Sequence, residues 1–143
     1  MSDFPDDFGI PQYPKFGPAA RAIYSNVVGA SGYTTLFTVA GQGVCYGARI
    51  AITGTGIINN DTVKIEIDGS EVSEQTLTSI FACNDVAHAD SLMGITLWNA
   101  LTFECAVTIR SGLTFISSLA LKYKESYGRT PAVLAYMYYA LVG

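Results

Sequence analysis

The sequence predicts an all-β chain: a single antiparallel β-sandwich, jelly-roll-like, preceded by an extended N-terminal arm. Three observations point there. Apolar residues recur at every second place over most of the chain, as in TVKIEIDGSEV, where Val63, Ile65 and Ile67 alternate with Lys64 and Glu66. Seven or eight such runs follow one another at spacings of about ten to fifteen residues. Glycine-rich stretches separate them, among them Gly41 to Gly43, Asp68-Gly69 and Ser111-Gly112.

Taken in order, residues 1–18 hold four of the five prolines, Pro5, Pro11, Pro14 and Pro18, interleaved with Phe4, Phe8, Tyr13 and Phe16. Proline at this density excludes helix and sheet ladder and leaves an extended segment. It reads either as a disordered tail or as an arm whose four aromatics pin it onto a neighbouring surface, since disordered tails are usually poor in aromatics. Residues 19–143 form the sandwich. In AARAIYSNVV, Ala19, Ile23 and Val27 fall at helical spacing, while Ile, Tyr and the Val-Val pair equally suit a strand. YTTLFTVA alternates Thr35, Phe37 and Val39 with Thr34, Leu36 and Thr38. VCYGARIAIT places Tyr46, Ala48, Ile50 and Ile52 on one side. Asp68-Gly69 closes a two-residue hairpin after TVKIEI, which requires positive φ at Gly69. Phe81 to Leu101 is the least regular part and is expected to contain a long connection. FECAVTIR puts Phe103, Cys105, Val107 and Ile109 on one face, LTFISSLALKYKES reads as the next strand, and the last strand follows Pro131.

That last strand, AVLAYMYYALVG, has three tyrosines, a methionine and no charge, so both of its faces must be covered. It is too short for the roughly 20 apolar residues of a membrane span. Val133, Ala135, Met137, Tyr139 and Leu141 are expected to fill the core. Leu134, Tyr136, Tyr138, Ala140 and Val142 are expected to meet either another subunit or an arm or loop of the same chain. Aromatic and methionine enrichment marks interface cores.

Composition narrows the function. Hydrophobic residues make up 50% of the 143 and charged residues 14%, against about 25% in an average soluble domain. Mean hydropathy is +0.31. So uncharged a surface is expected to associate into a closed homo-oligomer, with a trimer expected, since cyclic closure leaves no open end. The net charge of −4 argues against nucleic acid, which requires a basic footprint. MSDFPDD is acidic where a signal peptide is basic, so synthesis in the cytoplasm is expected, without export or membrane insertion. Cys45, Cys83 and Cys105 are odd in number and match no zinc or disulfide pattern, so they read as buried thiols.

Little in the sequence advertises chemistry. GTGIIN, Gly54 to Asn59, leads into a strand where a dinucleotide fingerprint needs a helix. The single histidine, His88, stands with Asp85 and Asp90 in a loop that lacks a second strong metal ligand. No Gly-x-Ser-x-Gly elbow is present, and Glu71 and Glu74 lie in a solvated strand. No enzyme activity, cofactor or metal is expected, and only Asp85, His88 and Asp90 would offer a hydrolytic site.

Three stretches taken in order resemble small β-sandwich structural proteins of tailed-bacteriophage virions: TTLFTVAGQGVCYGARIAITG (Thr34 to Gly54), TVKIEIDG, and GLTFISSLALKYKES (Gly112 to Ser126) before the tyrosine-rich last strand. The resemblance implies a virion component without catalytic residues, held in a symmetric assembly with copies of itself and other virion proteins. The first eighteen residues depart from that pattern. A second reading is a receptor- or glycan-binding module of a phage fibre or tail tip. Trp98 with Asn99 would then form a stacking platform beside the Asp85, His88 and Asp90 loop.

Overall fold

The computed structural model describes residues 16–28, 32–54, 60–84, 92–99, 104–126 and 130–142. Among them are strands β1 (Ala20–Val27), β2 (Tyr33–Ala40), β3 (Gly43–Thr53), β4 (Thr62–Ile67), β5 (Ser70–Thr76), β6 (Met93–Asn99), β7 (Glu104–Ile109), β8 (Leu113–Phe115), β9 (Ser118–Lys124) and β10 (Ala132–Leu141). One helix, α1 (Leu77–Asn84), follows β5. All ladders between these strands are antiparallel. The larger sheet has the order β1-β10-β3-β7-β6, with β8 also pairing β3, and the smaller has the order β2-β9-β4-β5. The chain crosses from one sheet to the other after β1, β2, β3, β5, β8 and β9. This is the winding of a jelly roll, β1-β10-β3-β7 over β2-β9-β4-β5, with β6 added at one edge.

AARAIYSNVV resolves into a strand. Residues four apart share a face in both helix and strand, so Ile23 and Val27 fitted either period; eight residues of ladder against β10 decide it. The expected grouping of Tyr46 with Ala48, Ile50 and Ile52 is corrected. The β3–β10 ladder skips Tyr46, pairing Tyr138 with Gly47 and Tyr139 with Cys45. This bulge, with Gly47 at φ 144°, shifts the alternation by one place. Cys45 therefore faces the core and Tyr46 is exposed.

LTFISSLALKYKES also proves to be two strands. Between β8 and β9 the chain leaves the larger sheet for the smaller, and the Asp68 carboxylate holds the corner. Asp68 Oδ1 accepts from the backbone N–H groups of Ser117 (2.7 Å), Ile116 (2.9 Å) and Ser118 (3.2 Å) and from Ser117 Oγ (3.1 Å). The Ser117 and Ser118 amide bonds are the main reason its carboxyl is held below the usual aspartate range.

The stretch expected to contain a long connection also holds the end of α1 and the whole of β6. Thr76 caps the helix, its Oγ1 accepting from Ser79 N at 3.2 Å. Leu77 and Ile80, three apart, turn into the core, and Phe81 stacks on Trp98 of β6 with centroids 4.7 Å apart.

Between the sheets, Ile50, Ile52, Val107, Val133 and Met137 pack against Val63, Ile65, Leu119, Leu121 and Tyr123. Each large aliphatic side chain buried there contributes roughly 1.5–3 kcal/mol. The alternation foreseen for β4 and β7 holds, with Lys64 and Glu66 directed outward and Cys105 buried. Among the described residues, one polar cluster lies within the core. Asp61, fully buried, accepts from Tyr123 Oη at 2.6 Å and from Ser126 N at 3.0 Å, while its carbonyl accepts from Leu77 N at 2.9 Å. One residue thereby ties the start of β4, the end of β9 and the first turn of α1.

Asp68 and Gly69 have φ of 55° and 82°, the two positive values of a type I′ hairpin. Nothing lies within 4 Å of where a Gly69 side chain would begin, so a substitution there meets only backbone strain. Gly69→Val is expected to lower stability by about 1–3 kcal/mol, read as a shift of the urea midpoint at constant slope. A neutral outcome would contradict the turn.

Burial, and secondarily the charge of Asp61, pushes the Cys105 thiol up to about 12; burial also raises Cys45. Neither forms the thiolate that reacts near neutral pH. In a Cys83→Ser background neither thiol should label with a thiol reagent until the protein unfolds. Prompt labelling would place Cys105 outside the core.

Candidate functional site

The two outer faces of the sandwich differ in chemistry. On the smaller sheet, Lys122 and Lys64 flank Glu66 at 2.9 and 3.5 Å. These contacts, the Lys122 hydrogen bond first, hold the Glu66 carboxyl below its usual range. Beside them Tyr33 Oη donates to Glu74, and the ammonium groups of Lys64 and Lys124 lie 4.1 and 5.2 Å from the Tyr33 ring centroid. Desolvation and then the Glu74 carboxylate raise the Tyr33 hydroxyl. This is a charged face.

The larger sheet presents the opposite. The β10 register sets Leu134 between Ser25 and Ala51, Tyr136 between Ile23 and Arg49, and Tyr138 between Arg21 and Gly47. Ile23, Val27, Leu134 and Tyr138 are 51%, 53%, 38% and 48% exposed. Leu97, 43% exposed, continues the face on β6, where it pairs with Ala106. Among the described strand residues on this face the charges are Arg21, Arg49 and Glu104. The Arg21 guanidinium lies 5.8 Å from the Tyr136 ring centroid. Because Gly47 has no side chain, a groove opens beside Tyr138, lined by Arg49, Thr108 and Tyr136; a second is lined by Ser25, Val27, Ala51 and Leu134.

Leu134, Tyr136 and Tyr138 therefore stand outward on one face. Ala140, expected in the same row, does not: it is buried beside Val44, so the outward row ends at Tyr138. Sequence reasoning did not find Ile23 and Val27, which widen the face. The signal was the alternation of Arg21, Ile23, Ser25 and Val27 with Ala20, Ala22, Tyr24 and Asn26.

Of the arm residues, Phe16 bridges Val142, next to a bond from Gly17 N to Leu141 O of 2.6 Å, and is 42% exposed. Phe4, Phe8 and Tyr13 lie outside the described residues, as do Asp85, His88 and Asp90. Trp98 is half-buried on β6, packed against the core, with one ring face occupied by Phe81. Among the described residues, no three His, Cys, Asp or Glu side chains are grouped to hold a metal ion, and no helix is long and apolar enough to cross a membrane.

No protein-family model matches the chain, and no curated protein matches it. The fold and the surface define it only as an antiparallel jelly-roll sandwich with one charged and one apolar outer face.

Proposed function

We propose that this protein is a non-enzymatic structural subunit of a bacteriophage particle, a capsid decoration, neck or tail protein that works by binding copies of itself and other virion proteins. The observation that carries the reading is the inequality of the two outer faces. Exposed Ile23, Val27, Leu134 and Tyr138 in one continuous patch favour burial against another protein, because apolar surface gains free energy on leaving water. Tyrosine and arginine, which dominate the hot spots of protein interfaces, stand together at Tyr136, Tyr138, Arg21 and Arg49. The particle itself is suggested by the ordered sequence resemblance, and jelly rolls are a recurrent architecture of capsid proteins, an argument by analogy.

The test is to purify particles from a lysate in which the chain is made and to map their density. The reading expects the chain at a fixed copy number, with the β1-β10-β3 face against a neighbouring subunit. Particles without the chain, or a bound chain whose charged face makes every contact, would contradict it.

A further inference from the structure

The four sheet edges are not equally guarded. The ladder of β5 skips Val72, and that strand carries Glu71 and Glu74. The ladder of β2 skips Leu36. The ladder of β6 skips Thr96, and α1 lies against that strand through the Phe81–Trp98 stack. Bulges, charges and covering helices are the devices that keep sheet edges from pairing with other chains. Among the described residues β1 has neither a bulge nor a covering helix: its ladder runs eight residues without a skip, it contains no lysine or proline, and its one charge is Arg21. Among the described residues it pairs only with β10.

The register tells which main-chain groups face the open edge. Val28 N donates to Pro131 O at 3.1 Å, so even-numbered residues turn their N–H and C=O toward β10. In an antiparallel ladder the intervening residues then turn theirs away, which gives Arg21, Ile23, Ser25 and Val27 to the edge. In agreement, Val27 N donates not to a strand but to Asn26 Oδ1, at 2.8 Å.

We propose that β1 pairs antiparallel with β1 of a second copy about a two-fold axis, joining two large sheets into one. Only another strand meets such a row of alternating donors and acceptors, and β1 is complementary to itself. Directly opposite residues of an antiparallel pair share a face, so the axis must pass through a residue. With the axis at Tyr24, Ile23 of one copy lies opposite Ser25 of the other, and Arg21 lies opposite Val27. All four edge-facing residues of each strand are then paired. The two Arg21 side chains stand at opposite ends of the ladder, about 20 Å apart, so like charges do not meet. The outward residues Ile23, Tyr136, Tyr138 and Leu134 of both copies then lie on one face of the joined sheet. The unit built is a dimer, which a three-fold ring of single copies does not contain. The inference rests on the reading that the protein acts by self-assembly.

Sedimentation velocity on the full chain tests it. The wild type is expected to be dimeric, and Ile23→Lys with Ser25→Pro is expected to weaken association at least tenfold at an unchanged circular dichroism spectrum. Ser25→Pro removes an N–H that faces the open edge, the position where an edge strand tolerates proline. Should the pair fail to fold, Ile23→Lys alone, at a half-exposed site, is expected to weaken the dimer in the same sense. In a Cys83→Ser background, Tyr24→Cys is expected to form a disulfide-linked dimer under mild oxidation and Ser25→Cys is not. Deleting residues 2–15 is expected to leave the dimer constant unchanged. Undiminished association of the edge variant, cross-linking through Ser25→Cys alone, or a deletion that strengthens association tenfold because the arm had occupied β1 would each overturn the inference. Association kept by the edge variant but lost on altering Tyr136 and Tyr138 would sink the edge pairing alone. A wild type monomeric at every concentration and bound to no particle protein would sink the assembly reading with it.

Discussion

Tyr136→Asp combined with Tyr138→Asp is expected to abolish association through the large-sheet face while leaving the fold intact. Tyr138 is half-exposed and Tyr136 partly so, and each sits on the solvent side of β10, so the monomer loses little when a carboxylate replaces the ring. In the assembly the same carboxylates would be buried against apolar partners, at a cost of several kcal/mol. Loss of two interface aromatics adds to this. Light scattering should show no species larger than the β1-paired dimer, with a wild-type melting curve. Deleting residues 2–17 should leave this contact in place. A double variant that still assembles fully would move the contact to another surface.

Asp61→Ala is expected to be the most damaging single substitution in the core, lowering stability by about 3–5 kcal/mol. The carboxylate is fully buried and accepts the Tyr123 hydroxyl and the Ser126 amide, and Tyr123 is itself buried. A hydrogen bond to a charged group contributes roughly 1.5–3 kcal/mol, and a donor stranded in the core adds its desolvation penalty. The loss would spread, because Asp61 joins β4, β9 and α1. Urea denaturation of Asp61→Ala against Asp61→Asn, which retains an acceptor, measures it. A loss below about 1 kcal/mol for Asp61→Ala would mean that the cluster contributes little.

Much of the fold was legible, and the exceptions share a cause. TVKIEIDGSEV could be read directly because lysine and glutamate mark its solvent side and Asp-Gly ends it. The last strand could be read as far as Tyr138 from its period of two, counted from Pro131. The bulge at Tyr46-Gly47 could not, since β10, far along the chain, creates it. The break between β8 and β9 was equally hidden, because an aspartate from another hairpin makes the corner. The helix α1 was missed for lack of charge: LTSIFACN has no amphipathic contrast, and its signals were the Thr76 cap and the spacing of Leu77, Ile80 and Phe81. Of the candidate site, Leu134, Tyr136 and Tyr138 were evident from their uncharged alternation. Ile23 and Val27 were hidden by a spacing that helix and strand share.

The central claim is that the apolar face of the larger sheet is the surface the protein uses. Hydroxyl-radical footprinting of the full chain at low and high concentration, read out by mass spectrometry, tests it without altering a residue. Ile23, Leu134, Tyr136 and Tyr138 are expected to lose reactivity as concentration rises, while Tyr33 on the charged face keeps its own. Equal reactivity at both concentrations, or protection confined to Tyr33 and its neighbours, would contradict the account.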